Sequence, residues 1–210
     1  MDKNDLIKHL KNTGTLESES IVRALKKIDR ADFVVESNKS LAYYDEALLI
    51  GQGQTISQPL TVVFMLELLN PQEDQMVMDI GSGSAWQSAL LAEIVGDGGA
   101  VQAIEIIPKV CEFGKSNIEK YPNIKSRITF HCKNAKDGLP NIADKTNGFD
   151  RIICAAEVRE VPQPWREQLK NQGVMVYPKD KGIYKETKKE ENCFEKEFYP
   201  GFVFVPFVNN

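Results

Sequence analysis

Two acidic residues and two glycines are spaced so that they could hold a ligand at one end of a predicted sheet. The run MVMDIGSGSAW reads as a buried strand that leads through Gly81 and Gly83 into a helix. Asp79 stands two residues before the first glycine, and Glu105 ends the next strand-like run, AVQAIE. A glycine turn in this context lets a ligand approach the backbone and directs helix N–H groups at a negative group. We therefore expect a ligand site across the tips of these two strands.

The spacing of the glycines disfavours a nicotinamide or flavin dinucleotide. The fingerprint G-x-G-x-x-G requires Gly or Ala at its sixth position, where this chain has Trp86. The turn instead follows D-x-G-x-G-x-A, and an acidic residue at a strand tip suits a ligand that carries positive charge. S-adenosylmethionine has an ammonium group for Asp79, a carboxylate for the helix end and ribose hydroxyls for Glu105. The alternative is that Asp79 caps the turn and Glu105 is a solvated carboxylate.

Thr55 and Ser57 lie on a second glycine-bearing loop, GQGQTISQP, which precedes an apolar helix. One interpretation is a helix entry, with Pro59 in the first turn and a polar side chain as the cap. The other is a functional loop close to the first site. His9 and His131 are the only histidines, so whatever chemistry occurs must need little proton transfer.

The elements that would position these residues are strands and helices in alternation after residue 75. This spacing predicts crossover units and an α/β fold, a doubly wound, Rossmann-like and mostly parallel sheet with helices on both faces. Helical segments at 4–11 and 18–28 are predicted to cap the sheet. The charged run 179–197 predicts an exposed hairpin or loop, and FVFVPFV at 202–208 predicts an antiparallel strand that closes the sheet.

A chain of 210 residues is long enough for one well-buried domain. We expect a single domain over 1–210. It divides into an N-terminal helical cap at 1–50, a cofactor-binding core at 51–178 and a C-terminal hairpin with the closing strand at 179–210.

Composition and charge disfavour several classes of partner and site. The net charge of −4 without a cluster of Lys and Arg gives no electrostatic footprint for nucleic acid. A charged N-terminus and the lack of a long apolar run predict a cytoplasmic protein with no membrane partner. The four cysteines show no C-x-x-C spacing, so neither zinc nor a redox pair is indicated, and Cys132 and Cys154 are predicted to pack reduced as small hydrophobes.

The two loops together resemble the protein-L-isoaspartate O-methyltransferases. That family's pattern is close to G-x-G-Q-T-I-S-x-P before a helix, followed by the cofactor turn, and GQTISQP is its most specific element here. Other matching stretches are IDRADFVVE, AYYDEALLIG, IEIIPKVCEFGKSNIEK, GLP, FDRIICAA and FVFVPF, so that the resemblance covers about residues 21–207.

The resemblance implies an S-adenosylmethionine-dependent carboxyl methyltransferase, which releases S-adenosylhomocysteine and acts on isoaspartyl residues of damaged proteins or peptides. A carboxylate is ionised at neutral pH and can attack the methyl group without a general base. Ser57, with Thr55, would hold the acceptor. The implied cofactor-binding residues are Gln54, Thr55, Ile56, Asp79, Gly81, Ser82, Gly83, Glu105, Asn134 and Ala135.

Several positions depart from the family pattern. Ala85 replaces a third glycine and would add a methyl group close to the ligand, and Asn134 stands where an adenine-binding Asp is usual. Glu157 and Arg159 bring opposite charges near the reaction centre, where they could pair with each other or Arg159 could bind the substrate. These changes leave two alternatives open: a different peptide or protein carboxylate as acceptor, and a non-catalytic homologue in which Ala85, Lys133 and Ala135 close the pocket. The oligomeric state is not predicted.

Overall fold

The computed structural model describes residues 1–208. The helices are α1 (Lys3–Asn12), α2 (Glu19–Lys27), α3 (Pro59–Leu69), α4 (Trp86–Val95), α5 (Pro108–Ile118), α6 (Pro122–Lys125), α7 (Pro140–Thr146) and α8 (Gln163–Gln168), with short 3-10 helices at Arg30–Phe33 and Glu36–Leu41. The strands are β1 (Leu48–Gly51), β2 (Gln54–Ile56), β3 (Met76–Ile80), β4 (Ala100–Glu105), β5 (Ile128–Cys132), β6 (Phe149–Cys154), β7 (Leu169–Lys179), β8 (Gly182–Glu190) and β9 (Cys193–Pro200).

Seven strands form one sheet in the order β5-β4-β3-β6-β7-β8-β9. The five from β5 to β7 are parallel, and β8 and β9 are antiparallel additions. The predicted α/β class and mostly parallel sheet are confirmed. From β3 the chain runs outward through β4 and β5 and then returns to β6 on the other side of β3. This reversal creates a crevice at the carboxyl end of β3, where open α/β sheets bind ligands.

Apolar helices hold the site end of the sheet in place. Every residue of α4 except Glu93 is buried, and α3 buries most of its apolar residues against the sheet and α2. Helices α1 and α2 confirm the two predicted N-terminal helices, and α2 packs against α4. None of the helices in the described part of the chain combines the length and apolar character that a membrane crossing needs. The predicted division at residues 50 and 178 stays a prediction.

The C-terminal elements differ from the prediction. The charged run forms the long hairpin of β8 and β9, and β9 is the antiparallel closing strand. Segment 202–208 is not a strand and makes a single bridge, between Pro206 and Glu157; residues 209–210 of the predicted unit lie outside the described part of the chain. Charge does not prevent strand formation because opposite charges pair across the hairpin, as in Lys185–Glu197 at 2.8 Å.

The prediction that Cys132 packs as a reduced residue is wrong. Cys111 in the first half of α5 and Cys132 at the end of β5 form a disulfide, with their Cα atoms 5.8 Å apart. The bond spans 21 residues of sequence, and it forms because α5 returns over the β4–β5 edge. Cys154 is buried and reduced as predicted, and burial raises the pKa of its thiol to about 12.

Candidate active site

A cavity of about 410 Å³ opens at the carboxyl ends of β3 and β4. This volume is in the range of pockets that bind a cofactor. Its walls are formed by the loop at 54–58, the turn and helix start at 80–84 and 86–87, the end of β4 at 104–107, and parts of three later segments: residues 133 and 135, residues 155–156 and residues 203–208.

The glycine turn is tied to the tip of β4. Gly81 and Gly83 have φ angles of +75° and +55°, which residues other than glycine rarely adopt. The N–H groups of Gly81 and Ser82 both donate to the carbonyl of Ile104, at 2.8 and 3.0 Å. The Gly83 N–H donates to Glu105 Oε2 at 3.1 Å. These three hydrogen bonds fix the position of the turn relative to the end of β4.

Glu105 is a fixed acceptor on the cavity wall. Its side chain is buried, and Oε1 accepts a hydrogen bond from the Ile107 N–H at 2.9 Å while Oε2 is held by Gly83. Each carboxylate oxygen has more than one lone-pair site, so each can accept a further bond from a ligand hydroxyl. Glu105 is not the solvated strand-end carboxylate of the alternative interpretation.

Asp79 does not line the cavity, contrary to the expected direct contact with a ligand ammonium group. The residue is fully buried behind the turn, and its carboxylate accepts hydrogen bonds from Gln87 Nε2 at 2.7 Å and Ser88 Oγ at 2.5 Å. Burial raises the pKa of Asp79 to about 6, against the opposing effect of these two donors. The carboxylate fastens the first turn of α4 to β3.

Ala85 also lies away from the ligand side. It has a φ angle of +68° and is fully buried, but it is not among the residues that line the cavity. Its Cβ lies next to Gly114 of α5, where an added Cβ would come within 3.3 Å. The predicted methyl group close to the ligand therefore faces a neighbouring helix.

On the opposite wall, Thr55 and Ser57 lie on and just after the β1–β2 hairpin, which the sequence did not predict. Within residues 1–208, neither side-chain hydroxyl makes a hydrogen bond, and both residues are partly exposed in the cavity. Helix α3 is not capped by either of them: Asp45 Oδ1 accepts the Leu60 N–H at 2.8 Å. The capping interpretation of Ser57 does not describe this structure.

The predicted adenine-side residues divide into two groups. Ala135 lines the cavity, and its carbonyl accepts a hydrogen bond from Trp165 Nε1 at 2.7 Å. Asn134 is not among the lining residues, and its side-chain carbonyl accepts the Lys136 N–H at 2.7 Å. The neighbouring Lys133 lines the cavity instead.

Glu157 and Arg159 do not pair with each other in the part of the chain that the structure covers. The Glu157 carboxylate accepts the Lys181 N–H at 3.2 Å, and its backbone pairs with Val205 and Phe207. Arg159 is exposed and does not line the cavity. The Glu157 backbone thus holds the C-terminal segment against the site.

Two lining residues carry polar side-chain atoms that are buried: Ser82, which the sequence predicted as a cofactor contact, and Trp86, which it did not. Ser82 Oγ and Trp86 Nε1 have no hydrogen-bond partner among residues 1–208, yet both residues line the cavity. Buried polar groups are rarely left unpaired, so these two atoms fit a polar ligand bound there.

A doubly wound sheet with an acidic second-strand tip, a glycine turn and a cavity at the switch point fits the class of Rossmann-like S-adenosylmethionine-dependent methyltransferases. The comparisons with known proteins name the family. Residues 1–210 match the model of the family described as protein-L-isoaspartate(D-aspartate) O-methyltransferase. The chain belongs to this family.

Relatives and solved structures agree. The chain is 35% identical to the protein-L-isoaspartate O-methyltransferase of Thermococcus onnurineus, covering 96% of this chain and 91% of that one. It is 39% identical to the protein of the same name from Aeropyrum pernix, and that match covers 82% of this chain and 65% of the other. A putative enzyme of this name from Plasmodium falciparum, solved with S-adenosyl-L-homocysteine, superimposes with a TM-score of 0.90 at 22% identity over both whole chains. The solved structure of another protein-L-isoaspartate O-methyltransferase is 26% identical to this chain. The match covers all of this chain and 67% of that one, with a TM-score of 0.87.

The family uses S-adenosylmethionine, and this chain is a methyltransferase of that kind. Such a cofactor fits the polar groups of the cavity. Ser82 Oγ and Trp86 Nε1 are free to donate to its polar atoms, and both carboxylate oxygens of Glu105 can accept from its hydroxyls.

Proposed function

We propose that this enzyme transfers the methyl group of S-adenosylmethionine to the α-carboxylate of L-isoaspartyl residues in damaged proteins or peptides. The observation that carries the proposal is one cavity with Glu105 and the glycine turn on one wall and the Ser57 hydroxyl on the other. The names of the family and of its relatives support the isoaspartyl acceptor.

The reaction needs positioning more than proton transfer. When bound, S-adenosylmethionine supplies a methyl group activated by its positive sulfur. The acceptor carboxylate is already ionised at neutral pH, so no side chain has to remove a proton. Neither histidine lines the cavity, and His131 Nε2 lies 2.8 Å from Gln102 Oε1. Holding two reactants in place can lower a bimolecular barrier by about 7–11 kcal/mol.

Different residues around the cavity position the cofactor and the acceptor. Glu105 accepts hydrogen bonds from ribose hydroxyls, and Ser82 Oγ and Trp86 Nε1 bind polar atoms of the cofactor. Ser57 Oγ donates to the acceptor carboxylate without neutralising it, with Thr55 beside it. The remaining proposed cofactor contacts are the backbone of Gln54, Ile56, Gly81 and Gly83, the wall residue Ala135, and Asn134, which lies between the wall residues Lys133 and Ala135. Asp79 acts from behind the turn, as a buried negative charge that fixes α4.

The test is transfer of labelled methyl to an isoaspartyl peptide and to the same peptide with normal aspartate. We expect labelling of the isoaspartyl peptide alone. Equal labelling of both peptides, or of neither, would contradict the repair function. Calorimetry with S-adenosylhomocysteine accompanies the assay: micromolar or tighter binding without transfer to either peptide would redirect the search to another carboxylate acceptor.

The open cavity is evidence against a non-catalytic homologue with a closed pocket. Of the three residues expected to close it, Ala85 faces α5, while Lys133 and Ala135 line an open space of about 410 Å³.

We also propose a cytoplasmic location. Disulfide bonds are rare in a reducing cytosol, so in this location we expect both thiols to be alkylated in freshly lysed cells. A Cys111–Cys132 bond that resists alkylation there would contradict a cytoplasmic location.

A further inference from the structure

Arg30 is a buried guanidinium that connects three separate parts of the site. It lies in the 3-10 helix at Arg30–Phe33 and is 2% exposed. Its two terminal nitrogens donate to the carbonyls of Ala42 at 2.7 Å, Glu46 at 2.9 Å and Ser57 at 3.0 Å. Burial lowers its pKa only to about 10, so the group is charged at neutral pH.

The same guanidinium reaches the cofactor side. Its central carbon lies 5.3 Å from the centre of the Trp86 ring, in a cation–π contact. Trp86 is the first residue of α4, directly after the glycine turn, and it lines the cavity. One side chain therefore touches both the loop that carries Ser57 and the helix that begins at the cofactor turn.

Asp45 fixes the same loop from its other end. Its Oδ1 accepts the Leu60 N–H at 2.8 Å, and its Oδ2 accepts Gln58 Nε2 at 3.1 Å. Asp45 lies in the segment between Ala42 and Glu46, whose carbonyls Arg30 holds. Ser57 is thus held by its own carbonyl and by nearby residues that follow it, while its hydroxyl is left for a ligand.

We propose that Arg30 and Asp45 are positioning residues for methyl transfer, which set the Ser57 loop at a fixed distance from the cofactor turn. The inference rests on the proposed function, since it takes Ser57 as the acceptor-side group. A misplacement of about 1 Å in such a reaction can cost on the order of 100-fold in rate. Neither residue touches a reactant, so their loss should lower turnover and leave cofactor affinity intact.

Three variants and two matched controls test this. Asp45→Ala removes both acceptors, Asp45→Asn keeps an oxygen for the Leu60 N–H, and Arg30→Lys keeps the charge but loses the planar fork. Asp2→Ala removes a comparable helix cap on α1, where Asp2 accepts from Asn4 and Asp5. Arg127→Lys changes a similar guanidinium, which donates to Ala92 at the other end of α4.

We expect Asp45→Ala and Arg30→Lys to lower kcat by about 10- to 100-fold, with the Kd for S-adenosylhomocysteine changed less than about threefold. Asp45→Asn should recover most of the rate, and both controls should keep wild-type kcat. Unchanged kcat in Asp45→Ala, or parallel loss of kcat and cofactor affinity, would overturn the inference.

Amide hydrogen exchange in the S-adenosylhomocysteine complex separates this inference from the proposed function, because it does not depend on the acceptor. Asp45→Ala should speed exchange in residues 54–62 and leave residues 81–85 unchanged, whereas Asp2→Ala should change neither. Unaltered exchange in 54–62 would overturn the inference. A wild-type enzyme that labels no isoaspartyl peptide would instead overturn the proposed function, whatever the exchange result.

Discussion

At the scale of single residues, removal of the Ser57 hydroxyl tests most directly whether its loop has a catalytic role or only a structural one. It lines the cavity and has no hydrogen-bond partner in residues 1–208. We expect Ser57→Ala to lower kcat by about 10- to 100-fold, because a hydrogen bond to a charged group contributes about 1.5–3 kcal/mol. The Kd for S-adenosylhomocysteine should stay the same. Ser40→Ala, at an exposed position outside the cavity, is the control; a fully active Ser57→Ala enzyme would remove Ser57 from the acceptor site.

The buried Asp79 predicts a pH effect on stability. Its pKa is about 6 in the folded protein, against an ordinary value of 3.8 for an aspartate in water. Between these pH values the folded state binds a proton that the unfolded state lacks, so this contribution to stability grows as the pH falls from about 6 to about 4. Above pH 6 the ionised carboxylate is a cost to folding.

Asp79→Asn should abolish this contribution. The difference between the unfolding free energies of wild type and variant, measured by urea titration, should change by up to about 3 kcal/mol between pH 4 and pH 7. Taking the difference cancels the titration of other groups. A difference that is constant over this range would show that Asp79 has an ordinary pKa.

At the scale of elements, the cofactor turn depends on how closely α5 approaches it. A Cβ on Gly114 would lie 2.8 Å from the carbonyl oxygen of Gly83 and 3.3 Å from the Ala85 Cβ. Gly114→Ala should therefore displace the turn and weaken S-adenosylhomocysteine binding by at least about tenfold, the equivalent of one lost hydrogen bond. Calorimetry measures the affinity, with Ser116→Ala on the exposed side of α5 as the control. Wild-type affinity in Gly114→Ala would mean that the turn moves without loss of binding.

The disulfide fastens α5 to β5, on the side of the sheet that ends at Lys133 and Ala135. For a loop of 21 residues, chain-entropy arguments give about 3 kcal/mol of stabilisation. Reduction should thus lower Tm by roughly 6–12 °C in a protein of this size. A Cys111→Ala, Cys132→Ala double variant should melt at the lower temperature with or without reductant. If reductant leaves the wild-type Tm unchanged, the bond does not form in solution.

At the scale of the whole molecule, local patterns predicted the parallel core because each strand and helix has its own sequence period. The strand ends at Asp79 and Glu105 followed from the same patterns. The direction of a side chain did not: Asp79 faces α4, and Ala85 faces α5, because the packing of distant helices decides which way the turn presents them.

Long-range contacts account for the other differences. The Cys111–Cys132 bond requires α5 to lie over the edge of β5, and the cap of α3 comes from Asp45, 15 residues before Leu60. The β8–β9 hairpin forms from a highly charged run because its charges pair across strands and because the buried Glu186 is held by Arg166 and Tyr177. None of these partners is adjacent in sequence, so no local pattern could identify them.

The central claim is that one cavity holds the methyl donor against Glu105 and the acceptor carboxylate against Ser57. A crystal structure with S-adenosylhomocysteine and an isoaspartyl peptide tests it most directly. We predict ribose hydroxyls within hydrogen-bond distance of Glu105 and the peptide's α-carboxylate within hydrogen-bond distance of Ser57 Oγ. A cofactor bound elsewhere, or an acceptor carboxylate that lies away from the Ser57 loop, would contradict the account.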